Sequence, residues 1–167
     1  STPNMDRLVS EGTTFTHAHI MGGNTGAICM PSRAMMMTGK NVQKFNNQGA
    51  LTSEDETMPQ LLKEAGYATF GTGKWHNSTD SYAKSFTHGS NIFLGGMSNH
   101  LRVPLHDFDP SGAYPKRNRR FEDKFSSVLF REATVDFLEN FNEDKPFFAF
   151  VSFTSPHDPR MAPTEYE

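Results

Sequence analysis

The chain has 167 residues, with 16 Lys and Arg against 19 Asp and Glu and a net charge of −3. That balance lacks the concentrated positive surface of a nucleic-acid binder; no run approaches the roughly 20 apolar residues of a membrane-spanning helix, and the first residues lack the basic-then-apolar pattern of a secretory signal. A hydrophobic content of 35% with 15 Phe supplies a core and excludes a disordered chain, while a mean hydropathy of −0.60 implies much loop or solvated face.

The chain opens on a helix entry, with Thr2 as cap, Pro3 at the first helical position, and Met5 and Leu8 as the apolar stripe. Gly12 ends that helix, and weak alternation from Thr13 to His19 suggests a short strand. The Gly-containing stretch from Met21 to Ile28 reads as a loop, after which Pro31 opens a short helix through Ala34, Met35, Met36 and Met37 that Gly39 stops. Cys29 therefore lies where a loop meets a helix N-terminus. Thr57, Met58 and Pro59 begin another helix carrying Leu61, Leu62 and Ala65, closed by Gly66, and Tyr67 to Thr72 forms the next strand.

From His76 to Arg120 periodicity fades among Gly89, Gly95, Gly96, Pro104, Pro110 and Pro115, which predicts a long functional or mobile loop. The basic run from Lys116 to Arg120 reads as a solvated loop or helix lead-in. Phe121, Phe125, Leu129, Ala133, Phe137 and Phe141 then recur at i+4, with Val128 and Leu138 widening the stripe, as in a core-facing helix. Finally, Phe147 to Phe153 is a nearly all-apolar run, the signature of a strand buried on both faces of a parallel sheet. The expected fold is α/β, part of a layered sandwich with a largely parallel or mixed central sheet. Residues 1–167 are expected to form one domain, truncated at both ends and belonging to a longer protein, with a signal peptide among the segments that could precede it.

With a single Cys the chain has no internal disulfide and no Cys-rich zinc site, and its seven His include no His-x-x-x-His pair. Chemistry can reside in three places. Cys29-Met30-Pro31-Ser32-Arg33 sits at a helix N-terminus, where unpaired N–H groups and a fixed cation favour anions; a small buried Cys is the plainer reading. The three residues between Cys29 and Arg33 are too few for a thiolate phosphatase loop. Gly71-Thr72-Gly73-Lys74-Trp75-His76 lies at a strand's carboxyl end, where α/β sheets bind ligands, and puts Lys74 and His76 on one side; a strand-end turn is the plainer reading, and the glycine spacing is not that of a Walker loop. Ser155-Pro156-His157-Asp158-Pro159-Arg160 places His157 beyond another strand end between two prolines, where it could equally be a capping or packing residue.

Taken together, these residues resemble the sulfatase family of the alkaline-phosphatase superfamily. Cys29-Met30-Pro31-Ser32-Arg33 with Thr38-Gly39 fits the pattern Cys-x-Pro-Ser-Arg-x-x-x-x-Thr-Gly, and Gly66-Tyr67-x-Thr69-x-x-x-Gly73-Lys74-Trp75-His76 fits a second one. The similarity runs from Thr2-Pro3-Asn4-x-Asp6-Arg7-Leu8 to Pro156-His157, as the N-terminal third or so of a full enzyme.

The resemblance implies that a maturation enzyme oxidises Cys29 to formylglycine, whose hydrate attacks sulfur and later expels sulfate. It further implies that Arg33 and Lys74 neutralise developing charge, that His76 is the base, and that His157 binds a sulfate oxygen and assists the departing alcohol. A divalent cation, usually Ca2+, is expected to bind the modified Cys29 together with Asp-Asp and Asp-Asn pairs; this chain has no Asp-Asp dipeptide, so the other ligands are expected outside it, as is a further Lys. Expressed alone, the segment is expected to be inactive and unstable. The expected substrates are sulfate monoesters of carbohydrates or aryl alcohols, with His88, Asn91 and His100 as sugar contacts. The alternatives are a phosphonate or phosphate ester hydrolase, and a non-catalytic sulfated-glycan binder in which Cys29 stays a thiol. The resemblance also favours a periplasmic or secreted location and no nucleic-acid or membrane partner.

Overall fold

A computed structural model describes residues 2–19, 28–45 and 49–163. The loop expected at 21–28 lies outside them except for Ile28. The first helix, α1 (Pro3–Glu11), forms as expected, with Pro3 in the turn that needs no N–H donor. Thr2 does not cap a backbone N–H; its hydroxyl instead donates to Asp6 Oδ1 at 2.9 Å. No residue of α1 is buried, and Leu8 of the expected stripe is 69% exposed. The strand expected from Thr13 to His19 does not form: those residues are exposed turn and loop, and no sheet edge is offered to them among the described residues.

The second helix, α2 (Cys29–Thr38), starts two residues before Pro31, so the proline falls in the first turn, and Gly39 ends it in the left-handed region. The helix α3 (Met58–Glu64) begins where Thr57 accepts a hydrogen bond from the Gln60 N–H. It leads into β1 (Ala68–Lys74), which is buried along its whole length.

The region from His76 to Arg120 is not one structureless loop. It contains α4 (Thr79–Ser85), capped by the Ser78 side chain, and β2 (His88–Phe93). The buried face of α4 is Ser81, Tyr82 and Ser85, so an apolar period never appears, although its hydroxyls are paired within the core. Strand β2 opens on His-Gly-Ser-Asn, poor strand formers that adopt the strand through pairing with β1. The basic run forms an exposed turn at Lys116–Asn118, and Arg120 pairs with Asp107 and Glu122.

Helix α5 (Ser126–Asn140) buries Ser126, Leu129, Phe130, Ala133 and Phe137. The i+4 series was therefore right from Leu129 to Phe137, but Phe121 precedes the helix and both Phe121 and Leu138 are exposed, with Phe130 packed inside instead. The last strand, β3 (Phe147–Ser152), is not buried on both faces: it flanks the described sheet, and Phe147 is 44% exposed. The fully buried strand is β1.

The sheet order is β2-β1-β3, all parallel, with a register break between Thr72 and Gly73. Phe70 stacks on Phe137 of α5 with centroids 4.4 Å apart, while Gly71 turns its other face to Tyr82 of α4 and to Phe86 just after it, so helices cover both faces. Trp75, Tyr82, Phe86 and Phe150 fill the α4 side with edge-to-face contacts. The chain leaves β1 toward β2 and returns through α5 to β3 on the opposite side. The carboxyl ends of β1 and β3 are therefore a topological switch point, the place at which open parallel sheets form a ligand-binding crevice. Among the described residues no helix is long and apolar enough to cross a membrane.

Candidate active site

The crevice is made by a close approach of β1 and β3. Gly73 has φ of +82°, and a Cβ there would lie 2.0 Å from the Ser152 carbonyl oxygen, so no other residue lets the two strand ends meet in this way. The register break at Thr72/Gly73 re-aims Lys74, which is 3% exposed and donates to the Gly96 carbonyl.

Arg33 crosses the crevice. Its Nη1 donates to the Lys74 carbonyl at 2.6 Å and to Ser152 Oγ at 2.7 Å, joining the ends of both strands to α2. Cys29 lies one turn earlier on the same face of α2. Its Sγ is 3.1 Å from His76 Nδ1. His76 has φ of 52°, a left-handed conformation uncommon for a residue with a side chain, and strain of this kind collects at functional sites.

The electrostatics follow from burial without counter-ions. Desolvation lowers the pKa of Arg33, opposed by Cys29. Desolvation also lowers that of Lys74, and Arg33 adds to the effect while Cys29 opposes it. His76 is lowered first by burial, then by the charges of Lys74, Arg33 and His157. No carboxylate pairs with any of these groups among the described residues. A crevice holding two poorly hydrated cations and no carboxylate of its own favours an anionic ligand.

Cys29, Arg33, Lys74 and His76 thus converge. His157 is exposed and close enough for its charge to act on His76, and its Nδ1 donates to the Asp158 carbonyl at 2.8 Å. Of the three residues expected to contact sugar, His88 and Asn91 lie elsewhere and His100 lies beneath His157. His88 is at the opposite, amino end of β2 beside Glu143, at 3.4 Å. Asn91 is buried, donates to the Leu129 carbonyl and accepts from Arg120. His100 is 1% exposed, with both ring nitrogens bonded to protein. Sequence patterning sees charged and titratable types, so it overlooked Ser152, which receives Arg33, and Gly96, which receives Lys74.

Among the described residues no group of three or more His, Cys, Asp or Glu could hold a divalent cation by itself, and Cys29 is the one ligand expected from this site.

Three expected outcomes arise from this geometry. A Cβ at residue 96 would come within 2.6 Å of the His76 ring, so Gly96→Ala displaces the imidazole and lowers kcat/KM on the order of 10-fold or more, with little loss of Tm, as steady-state kinetics and thermal melts will show. The lowered pKa of His76 leaves its ring neutral below the ordinary 6.5, so the acid limb of the kcat/KM profile falls below that pH. The unfolded chain binds a proton at His76 before the folded chain does. This group therefore makes stability fall as pH drops below about 6.5, and His76→Gln flattens that slope in pH-dependent denaturation.

The family model described as Sulfatase matches residues 1–167. An N-acetylglucosamine-6-O-sulfatase of Bacteroides thetaiotaomicron is 30% identical, covering 93% of this chain and 26% of its own length. An ulvan-active sulfatase of Formosa agariphila is 31% identical, covering 99% and 33%. Among solved structures, BT4656 in complex with its substrate D-glucosamine-2-N,6-O-disulfate superposes with a TM-score of 0.78 at 28% identity, covering 96% of this chain and 30% of that one. A putative sulfatase of Bacteroides fragilis has a TM-score of 0.79 at 19% identity over 99% and 41%, a likeness of fold, which is the alkaline-phosphatase-like one. The chain spans about a third of the length of the first relatives it matches, at 35%, 40% and 26%. With the motif residues gathered at one crevice and the family model matching from end to end, the chain belongs to the sulfatase family.

Proposed function

We propose that the protein carrying this chain hydrolyses sulfate monoesters, of sulfated carbohydrates or aryl alcohols, and that residues 1–167 supply the amino-terminal part of its catalytic domain. The observation that carries this reading is the pairing of half-buried Arg33 with buried Lys74, without a carboxylate, beside Cys29 at the switch-point crevice. The relatives whose names specify sulfated sugars support the carbohydrate half.

Formylglycine at Cys29, made by a maturation enzyme, would supply through its hydrate both an attacking oxygen and a hydroxyl whose deprotonation releases sulfate. The residue position suits it: Cys29 is half-buried and reached by His76. Arg33 and Lys74 hold positive charge against the sulfate oxygens and gain most as charge builds in the transition state. His76, kept neutral by burial and then by its cationic neighbours, accepts a proton through Nδ1. His157 donates toward the departing alcohol. Ligands for the family's divalent cation, Ca2+ in the usual case, come from outside this chain. A periplasmic or secreted location rests on the resemblance alone.

The test compares kcat/KM for matched aryl sulfate and aryl phosphonate esters on the full-length, matured protein. Preference for the sulfate by about 10²-fold or more supports the reading, the scale of specific transition-state recognition; preference for the phosphonate, or no turnover of either, overturns it.

A further inference from the structure

His100 joins three elements that meet below His157. Its carbonyl accepts from the Ser126 N–H at 2.7 Å, at the start of α5, where Phe125 offers no side-chain cap. Its ring lies on Phe125 with centroids 5.8 Å apart. Ring Nε2 bonds to the His157 carbonyl at 2.8 Å, and because a carbonyl only accepts, that nitrogen carries the proton. In the neutral ring Nδ1 then accepts, from Thr154 Oγ1 at 3.0 Å or Ser126 Oγ at 3.3 Å, with Ser155 Oγ at 3.4 Å. Ser126 and Thr154 hydroxyls are themselves 2.7 Å apart, so the tautomer is held by a closed buried network.

Both backbone groups of His157 are thereby fixed. Its N–H donates to the Thr154 carbonyl at 3.0 Å and its carbonyl receives His100, while its own ring is pinned through Nδ1 to Asp158. His157 is exposed, so apolar packing around its side chain cannot set its position; the polar strut beneath it does. We propose that His100 is a positioning residue that sets His157 for its work on the departing alcohol, with Thr154 and Ser126 fixing its tautomer. This rests on the sulfatase reading above and on the role given there to His157.

The readout is leaving-group dependence. A sugar alcohol departs as a strong base and needs a proton, whereas nitrophenolate leaves without one. In the full-length, matured protein, His100→Phe keeps the ring on Phe125 but loses the donor. It is expected to lower kcat on glucosamine 6-sulfate on the order of 10²-fold, the usual scale for a positioned acid, while KM and turnover of 4-nitrophenyl sulfate change by no more than about 5-fold. His157→Ala lowers turnover of the sugar sulfate at least as far, and the double variant is no worse than His157→Ala, because the two act as one unit. His100→Gln, whose amide can donate to the same carbonyl, recovers most of the loss. Thr154→Val, which preserves shape and removes the hydroxyl, shows the same selectivity more weakly and keeps the question answerable if His100→Phe folds poorly.

A residue serving only the core would lower both esters alike, through the folded fraction, and would add to His157→Ala. Equal loss on both substrates, additivity, or unimpaired turnover of the sugar sulfate in His100→Phe and Thr154→Val overturns the positioning role. Wild-type protein that turns over neither ester overturns the sulfatase reading, and this inference with it.

Discussion

Cys29→Ala is expected to abolish turnover in the full-length protein, by at least about 10⁴-fold, the scale on which loss of a covalent nucleophile is felt. Stability is expected to move little. Cys29 is half-buried, it is the first residue of α2, and alanine is the better helix former. The thiol touches His76 and no apolar cluster, so its removal opens no cavity. Activity against aryl sulfate and a thermal melt on the same preparation check both halves. Mass spectrometry of the wild-type tryptic peptide from Leu8 to Arg33 adds the chemical half: conversion to an aldehyde loses mass relative to the thiol. A variant that retains activity, or a wild-type peptide that is entirely thiol in an active enzyme, removes Cys29 from the chemistry.

What the sequence discloses and what it hides divide along a physical line. The four residues that converge, Cys29, Arg33, Lys74 and His76, were legible because their setting is local. A helix start fixes Cys29 and Arg33 one turn apart, and a strand end fixes Lys74 and His76 near each other. Their meeting is non-local, since α2 reaches β1 through Arg33 and the Lys74 carbonyl, far apart in the chain, and the motif resemblance was needed to expect it. Ser152 and Gly96 were invisible because their contribution is a hydroxyl and a carbonyl, groups whose value appears only once the cation they serve has been placed.

The failed elements have one cause in common. Helix α4 buries serines and β2 begins with residues that avoid strands, so both are formed by tertiary contacts that outweigh local preference. Gly71 and Gly89 show how: both strands pass close to the Tyr82 hydroxyl, which donates to the Gly71 carbonyl. In β3 the opposite happened. Its unbroken apolar run predicted burial on two faces, yet β1, with six polar or small residues among its seven positions, holds the centre of the described sheet. Hydrophobicity identified a strand and misassigned its rank. His100 was similarly read by residue type as a sugar contact, whereas burial and its bonds to His157, Thr154 and Ser126 make it part of the scaffold.

Lys74→Met is expected to lower kcat/KM on sulfate esters by about 10²- to 10³-fold while leaving Tm unchanged or higher. The two effects share one origin. Burial and Arg33 both disfavour the charged ammonium, so the folded chain holds Lys74 at a lower pKa than the unfolded chain does. Between that lowered value and the ordinary 10.5, the unfolded state binds the extra proton, and folding is opposed by this group throughout that interval and below it. Methionine matches the length of the stem, needs no counter-ion and removes that opposition, at the expense of one hydrogen bond to the Gly96 carbonyl. The same substitution relieves His76 of one of the cations that, after burial, hold its pKa down, so the acid limb of kcat/KM shifts upward toward the ordinary 6.5. A pH-rate profile and a thermal melt on wild type and variant measure all three quantities. If Lys74→Met loses stability along with activity, Lys74 is a structural strut that holds the Gly95-Gly96 turn. If activity falls with Tm preserved and the acid limb displaced, the lysine is an uncompensated charge retained in the crevice for the anion that binds there.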